Sequence, residues 1–320
     1  MNKNGFSRCA EAYIARLRKE GRYSTAHVYQ CALFSFTGYC GTRTVSFAQI
    51  SRENLRCYGI HLYENGLRPN TISTYMRMLR SIYNKGVELG YSTYIPRLFR
   101  GVYTGVENRQ KKALPANELH KLLYDDPNSD VLRKVQSIAA LMFQFCGMSF
   151  ADIAHLEKRA LDKDMIHYNR YKTKTPMCVE VLDSARKIMN GLLNHRSLNA
   201  SGPNYLLDIL SGTSGYNEES AYREYQSALR RFNNNLKVLA RILHITSPVT
   251  SYSLRHSWAT IAKYRGVSIE MISELLGHSS IKTTQIYLKG FDLKRRTEVN
   301  RMNLNYVRNI GKRVDGTIID

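Results

Sequence analysis

Apolar side chains recur at three- and four-residue intervals through most of this chain, which is the period of an amphipathic helix. Ala10, Tyr13, Ile14 and Leu17 share one face of a first helix, and a second apolar run spans Val28 to Tyr39. Ser51 is placed to cap a third helix that stops at Asn65-Gly66. The fourth pattern is the clearest: after Pro69, Ile72, Tyr75, Met76, Leu79, Ile82 and Tyr83 hold the spacing as far as Gly86. Its other faces carry Arg77, Arg80 and Lys85, which read as solvated charges or as contacts to a polyanion. Residues 1–100 are therefore expected to form a small helical domain.

The periodicity stops between Arg97 and Lys112, a basic stretch that contains glycine, and 101–112 is read as an interdomain linker. A dozen extended residues span on the order of 40 Å. Leu114-Pro115-Ala116 opens a new helix, and a buried helix follows over about Val131–Phe145, ending at Cys146-Gly147-Met148-Ser149. Asp152, Ile153 and Leu156 then resume helical spacing. Met165–Tyr171 and Met177–Leu182 alternate as strands do, with Lys172 to Pro176 as the turn between them. His195–Gly215 is polar and reads as a surface loop. From Glu218 a long helix carries Tyr222, Tyr225, Leu229, Phe232, Leu236, Leu239 and Leu243 on one stripe, with Arg230 and Arg231 off it. The expected fold is mainly α with a small antiparallel β-sheet. It has a second, α+β domain over 113–300 and a basic tail over 301–320.

Charge narrows the partner. The formal net charge is +21, with 47 Lys and Arg against 26 Asp and Glu spread over the 320 residues. That points to nucleic acid. The N-terminal MNKNGF is polar and no apolar run approaches the ~18 residues of a membrane span, so a cytoplasmic protein is expected. The six cysteines show no C-x-x-C spacing and the nine histidines no H-E-x-x-H pair, so neither a disulfide framework nor a metal site is expected. Gly277 to Thr283 faintly resembles a phosphate-binding loop, but it lacks the second glycine and follows a helix, so it is set aside.

The chemistry is concentrated between Thr250 and Leu288. Arg255 and His256 open an amphipathic segment in which Trp258, Ile261 and Ala262 share a face, and Gly266 ends it. Ser268 opens a second short helix closed by Gly277, followed by His278 and, nine residues on, by Tyr287. A guanidinium, an imidazole and a phenol beside helix boundaries suit a phosphate. Arginine holds two oxygens, histidine donates another hydrogen bond, and tyrosine can attack.

Ser253-Leu254-Arg255-His256-Ser257-Trp258-Ala259-Thr260, then Leu276-Gly277-His278, then Tyr287, resembles the C-terminal signature of the tyrosine recombinases, the phage integrase family. The resemblance implies an N-terminal helical core-DNA-binding domain and a catalytic domain that together clamp a duplex. It also implies strand cleavage and rejoining through a covalent 3′-phosphotyrosyl intermediate, with no cofactor. The implied partners are double-stranded DNA with inverted-repeat core sites, and a tetramer in the synapse whose C-terminal segments pack on neighbouring protomers. Accessory DNA-bending proteins are compatible with it. Tyr287 would be the nucleophile, Arg255 the phosphate clamp, His278 a hydrogen-bond donor and Lys172 of the hairpin turn the proton donor to the leaving oxygen. Arg77, Arg80, Lys85, Lys174, Arg230 and Arg231 would meet DNA.

Two positions depart from the pattern. Gly147, Met148, Asp152 and Leu156 fit the family's first motif, but Ser149 stands in its arginine slot. Tyr252 stands where the family has a histidine three residues before Arg255. These departures motivate a second reading, a sequence-specific DNA-binding protein derived from a recombinase and impaired in catalysis. If catalysis is intact, a substitute cation is required. Arg133 lies roughly 24 Å from Ser149 along a helix. Arg170 is better placed, since it shares a strand face with Lys172. The alternative role for Arg170 is a flanking phosphate contact or a cap on the hairpin. Integration, excision and inversion are all open outcomes, with the chain's length favouring a simple recombinase such as an invertase.

Overall fold

The computed structural model describes residues 5–107, 113–193, 205–212, 218–288 and 293–314. It divides into two compact units, one formed by Met1–Lys111 with Ser211–Ala228, the other by Lys112–Leu210 with Leu229–Asp320.

The first unit is built on four helices, α1 (Phe6–Lys19), α2 (Tyr23–Tyr39), α3 (Arg52–Glu64) and α4 (Pro69–Glu88). Helices α1 and α4 are amphipathic in the register expected from the sequence, whereas α2 is apolar on more than one face and leaves Phe34 exposed. Ile14 and Leu17 of α1, Phe36 of α2, Leu55 and Tyr58 of α3, and Met76, Leu79, Ile82 and Tyr83 of α4 are buried in one core. Ser51 caps α3 by accepting the Asn54 N–H at 3.1 Å, and Pro69 occupies the first turn of α4. The phenols in this core are not left dry. Tyr58 donates to Ser35 at 2.8 Å, Tyr29 to Ser81 at 2.9 Å and Tyr83 to the Thr93 carbonyl at 2.7 Å, which removes the cost of burying an unpaired hydroxyl.

The start of the stretch read as linker packs on this core: Val102 lies against it beside the buried Leu98 and Phe99, and Asn70 exchanges two hydrogen bonds with the backbone of Glu107. Apolar residues without helical spacing gave no sequence signal for this packing. The rest of that stretch, 108–112, lies outside the described residues, as does most of the expected loop over 195–215.

In the second unit α5 (Ala116–Tyr124) and α6 (Asp130–Gln144) lead to the short α7 (Phe150–Ala154). A three-stranded antiparallel sheet follows, in the order β1 (Leu161–Asp162), β2 (Met165–Asn169), β3 (Pro176–Glu180). Ile166 pairs with both Leu161 and Val179, and Asn169 with Pro176, so both strands stop short of the hairpin tip. After α8 (Asp183–Leu193) comes the long α9 (Glu218–Ile242), which groups with the first unit as far as Ala228 and with the second from Leu229, where Phe232, Leu236 and Leu239 are buried. Next are α10 (Ser251–Tyr264), α11 (Ile269–Leu275) and α12 (Ile281–Tyr287). Ala259, Ile272, Leu276 and Leu288 form a core cluster that fixes these three helices together. The expected tail is helical, α13 (Leu293–Val314), with Val299, Met302, Leu304, Tyr306 and Val307 exposed. No described helix is long and apolar enough to cross a membrane.

Candidate active site

Arg255 lies in the second turn of α10. Thr250 caps that helix by accepting the Ser253 N–H at 3.3 Å, while Ser253 accepts the Thr250 N–H at 2.7 Å. The Arg255 residue is 4% exposed, and its guanidinium donates to the Gly147 carbonyl at 3.0 Å and to the Leu276 carbonyl at the end of α11. Two backbone carbonyls thus fix the plane of a buried cation. Gly147 has φ +67°, and a Cβ there would stand 3.3 Å from the Arg255 Cα and 3.2 Å from the Trp258 Cβ. Only glycine lets the α6–α7 turn approach α10 this closely.

Ser149, in the arginine slot, has a structural role. Its hydroxyl accepts the Asp152 N–H at 3.3 Å as the cap of α7 and donates to Asp152 Oδ2 at 2.6 Å. Asp152 is buried, and its other oxygen accepts the Tyr171 N–H at 2.7 Å. Tyr171 also stacks on His155 with ring centres 4.2 Å apart. These two contacts pin the hairpin turn that presents Lys172, an exposed residue. Lys174 has φ +59° and its ammonium lies 5.0 Å from the centre of the Tyr171 ring.

Arg170 follows β2 directly, and its side chain is only 11% exposed. Its Nη1 donates to the Gly277 carbonyl at 2.7 Å and its Nε faces Asp152 Oδ2 at 3.9 Å. Gly277 has φ +61°, and a Cβ there would meet Met177 Sδ at 2.6 Å and Arg170 Cδ at 3.0 Å. The hairpin thus closes on the glycine between Leu276, which holds Arg255, and His278. Arg133 is committed elsewhere, paired with Asp126 at 3.0 Å and with Asp130.

His278 is half-buried, with Nδ1 2.8 Å from the Thr284 hydroxyl. Burial, then the positive charges of Arg255, Arg170 and Lys172, push its pKa down to about 4. The same interactions place Lys172 within electrostatic reach of the imidazole. Tyr168 of β2 belongs to this neighbourhood as well. Burial and Asp152 raise its pKa, against the opposing pull of Arg255 and Arg170. Nothing in the sequence singled out Tyr168 or Thr284 among the chain's many tyrosines and threonines.

The structure therefore brings together Arg255, His278, Arg170, Asp152 and Ser149 beside the turn carrying Lys172. Tyr287 ends α12, but its side chain lies outside the described residues. Tyr252 is 43% exposed on the first turn of α10. Of the expected DNA contacts, Arg77, Arg80, Lys174, Arg230 and Arg231 are exposed. Lys85 is half-buried with its ammonium 4.4 Å from the centre of the Tyr13 ring, and it is turned about 140° around α4 from Arg80. It shares a groove with Arg8 and Arg16 rather than a face with Arg80. Among the described residues no cluster of histidine, cysteine, aspartate and glutamate could hold a metal.

Two family models match, the Phage integrase family over residues 112–293 and the Phage integrase SAM-like domain over residues 5–97. A curated relative, tyrosine recombinase XerC of Pseudomonas fluorescens, is 25% identical over 284 residues, covering 87% of this chain and 90% of that protein. In fold the chain is similar to the Tn1549 transposon integrase solved in complex with a circular intermediate DNA. The TM-score there is 0.66 at 15% identity, covering 92% of this chain and 99% of that one. It is also similar to a lambda integrase solved as a tetramer bound to a Holliday junction, with TM-score 0.64 at 13% identity, covering 90% of this chain and 79% of that one. The chain belongs to the phage integrase family: it is a tyrosine recombinase, an enzyme that cleaves and rejoins DNA in site-specific recombination.

Proposed function

We propose that Tyr287 attacks the scissile phosphorus, forms the 3′-phosphotyrosyl bond and displaces the deoxyribose 5′-oxygen. Arg255 clamps the non-bridging oxygens, with Arg170 beside it in the role that Ser149 cannot fill. His278 donates a hydrogen bond to the phosphate, and Lys172 gives its proton to the departing 5′-oxygen. The new ester keeps the phosphodiester energy, so the 5′-hydroxyl of a second strand can reverse the step without ATP. A free phenol of pKa about 10 is ionised to only about one part in a thousand at pH 7. Cations fixed in advance around the phosphate are therefore where the rate arises, each such donor contributing ~10²–10³.

The observation that carries this reading is the convergence of two arginines on one short turn. Arg255 donates to the Leu276 carbonyl and Arg170 to that of the adjacent Gly277. It favours an active enzyme over the impaired binder. The substrate is a duplex with inverted-repeat core sites, and the synapse holds four protomers and two duplexes. The relative orientation of the two sites decides between inversion and excision, and sites on separate molecules give integration. A suicide duplex, nicked near the crossover and built from the inverted repeats that flank the gene, tests the reading. The protein should be trapped as a denaturant-resistant adduct. Specific binding with no adduct would establish the impaired binder instead.

A further inference from the structure

Thr284 lies one turn before Tyr287 in α12. It is fully buried, its carbonyl accepts the Leu288 N–H at 2.7 Å, and its hydroxyl oxygen is 2.8 Å from Nδ1 of His278. Leu288 is itself part of the core cluster with Ala259, Ile272 and Leu276. Two ends of the site thus meet in one side chain: the imidazole that follows the Leu276-Gly277 turn and the helix that ends in the nucleophile.

The chemical consequence follows from proton counting. With a pKa near 4, His278 is neutral at the pH where DNA is cut. A neutral imidazole carries one N–H, and the hydrogen bond at one nitrogen decides which nitrogen bears it. A hydroxyl that donates to Nδ1 leaves the proton on Nε2, so the ring can donate to an anion. A hydroxyl that accepts from Nδ1 strips Nε2 of its proton and turns a lone pair on the phosphate. Only the first arrangement is useful beside a phosphodiester. Thr284 is fully buried, so the Thr284→Val change takes this hydroxyl from Nδ1 while keeping the side chain's shape.

We propose that Thr284 is a positioning residue: its hydroxyl donates to Nδ1 of His278, fixes the Nε2–H tautomer and aims that donor at the scissile phosphate while docking the Tyr287 helix. This deepens the recombinase reading of the site and rests on it. Thr284→Val keeps the shape and removes the hydroxyl, whereas Thr284→Ser keeps the hydroxyl. With saturating protein on the nicked duplex, Thr284→Val should slow first-order cleavage by ~10-fold or more while its Kd for the duplex stays within about twofold, and Thr284→Ser should recover most of the rate. In a His278→Ala background, Thr284→Val should cost nothing further, because its effect runs through the imidazole. Full-rate cleavage by Thr284→Val, or an equal loss without His278, would overturn the proposal. Nitrogen-15 NMR of the histidines in the intact protein gives a test that needs neither mutant folding nor cleavage. A His278 with its proton on Nε2 supports the assignment, and a proton on Nδ1 refutes it. Failure of the parent to form any adduct would count against the recombinase reading, and the NMR result would still stand or fall by itself.

Discussion

The two units bury different things. Among the described residues of the helical N-terminal unit no buried side chain is charged: the buried polar ones are Ser7, Ser73 and the phenols of Tyr29, Tyr58 and Tyr83, and Arg77 and Arg80 stand in solvent. The second unit buries Asp152, Arg255, His256 and Lys263, along with Gln136, Ser257, Ser273 and Thr284. Charge on a surface costs little to fold and acts through counterion release, so it suits adhesion to a long polyanion. Charge in an interior is expensive and must be held by carbonyls and carboxylates, as Gly147, Leu276 and Asp152 hold Arg255 and Arg170. That expense makes sense where a cation must be rigid before the substrate arrives. On the proposed reading, the first unit serves affinity and the second serves rate.

Arg255→Ala should break this division most severely. It removes the proposed clamp and takes the Arg255 donor from the carbonyls of Gly147 and Leu276. Single-turnover cleavage of a nicked duplex at saturating protein should fall by ~10³-fold or more. Arg170→Ala comes next, with a loss of ~10²-fold, and Ser149→Arg added to it should restore part of the rate. A change of only a few-fold in Arg170→Ala would reduce Arg170 to a prop for the hairpin.

The contrast between units also governs what the sequence disclosed. Helices α1 to α4 were legible because their cores follow a single rule, apolar residues on one stripe, and Ser51, Pro69 and Gly66 mark where the stripes begin and end. Arg255, His278 and Tyr287 were legible through a joint spacing. The contacts that build the site were not. Arg170 was singled out by strand parity with Lys172, but β2 ends at Asn169, so neither residue is on a strand, and the partners of Arg170, Asp152 and Gly277, are 18 and 107 positions away. Thr284 and Tyr168 carry no local mark at all, since a buried hydroxyl is recognised only by what the fold sets beside it. The same holds for Val102, which packs on the first unit's core from within what reads as linker, and for the grouping of Ser211–Ala228 with that unit.

Replacing Arg77 and Arg80 with alanine should act on the other side of the comparison. Binding should weaken uniformly across sequences, and the slope of log affinity against log salt should become shallower by about one for each phosphate that is no longer neutralised. Cleavage at saturating protein should stay within about twofold of the parent if these residues only hold the backbone. A large fall in rate at saturation would place them in the chemistry and blur the division.

A further expected effect is on stability and leaves the DNA chemistry aside. The His278 pKa is about 4 in the folded chain and about 6.5 when unfolded, so between those values the unfolded state binds more protons. Stability from this group is therefore complete above about pH 6.5 and is lost as pH falls towards 4. A series of Tm values over that window should decline, and His278→Gln should flatten the decline. An identical slope in both proteins would show that the imidazole is not held neutral.

The trapped adduct tests directly whether Tyr287 is the residue that joins DNA. Digesting the covalent complex with protease and nuclease, then sequencing the nucleotide-bearing peptide by mass spectrometry, should locate the phosphodiester on Tyr287. Tyr287→Phe should bind the same duplex with near-parental affinity and yield no such peptide. A nucleotide on any other residue, or an adduct that survives Tyr287→Phe, would contradict the assignment.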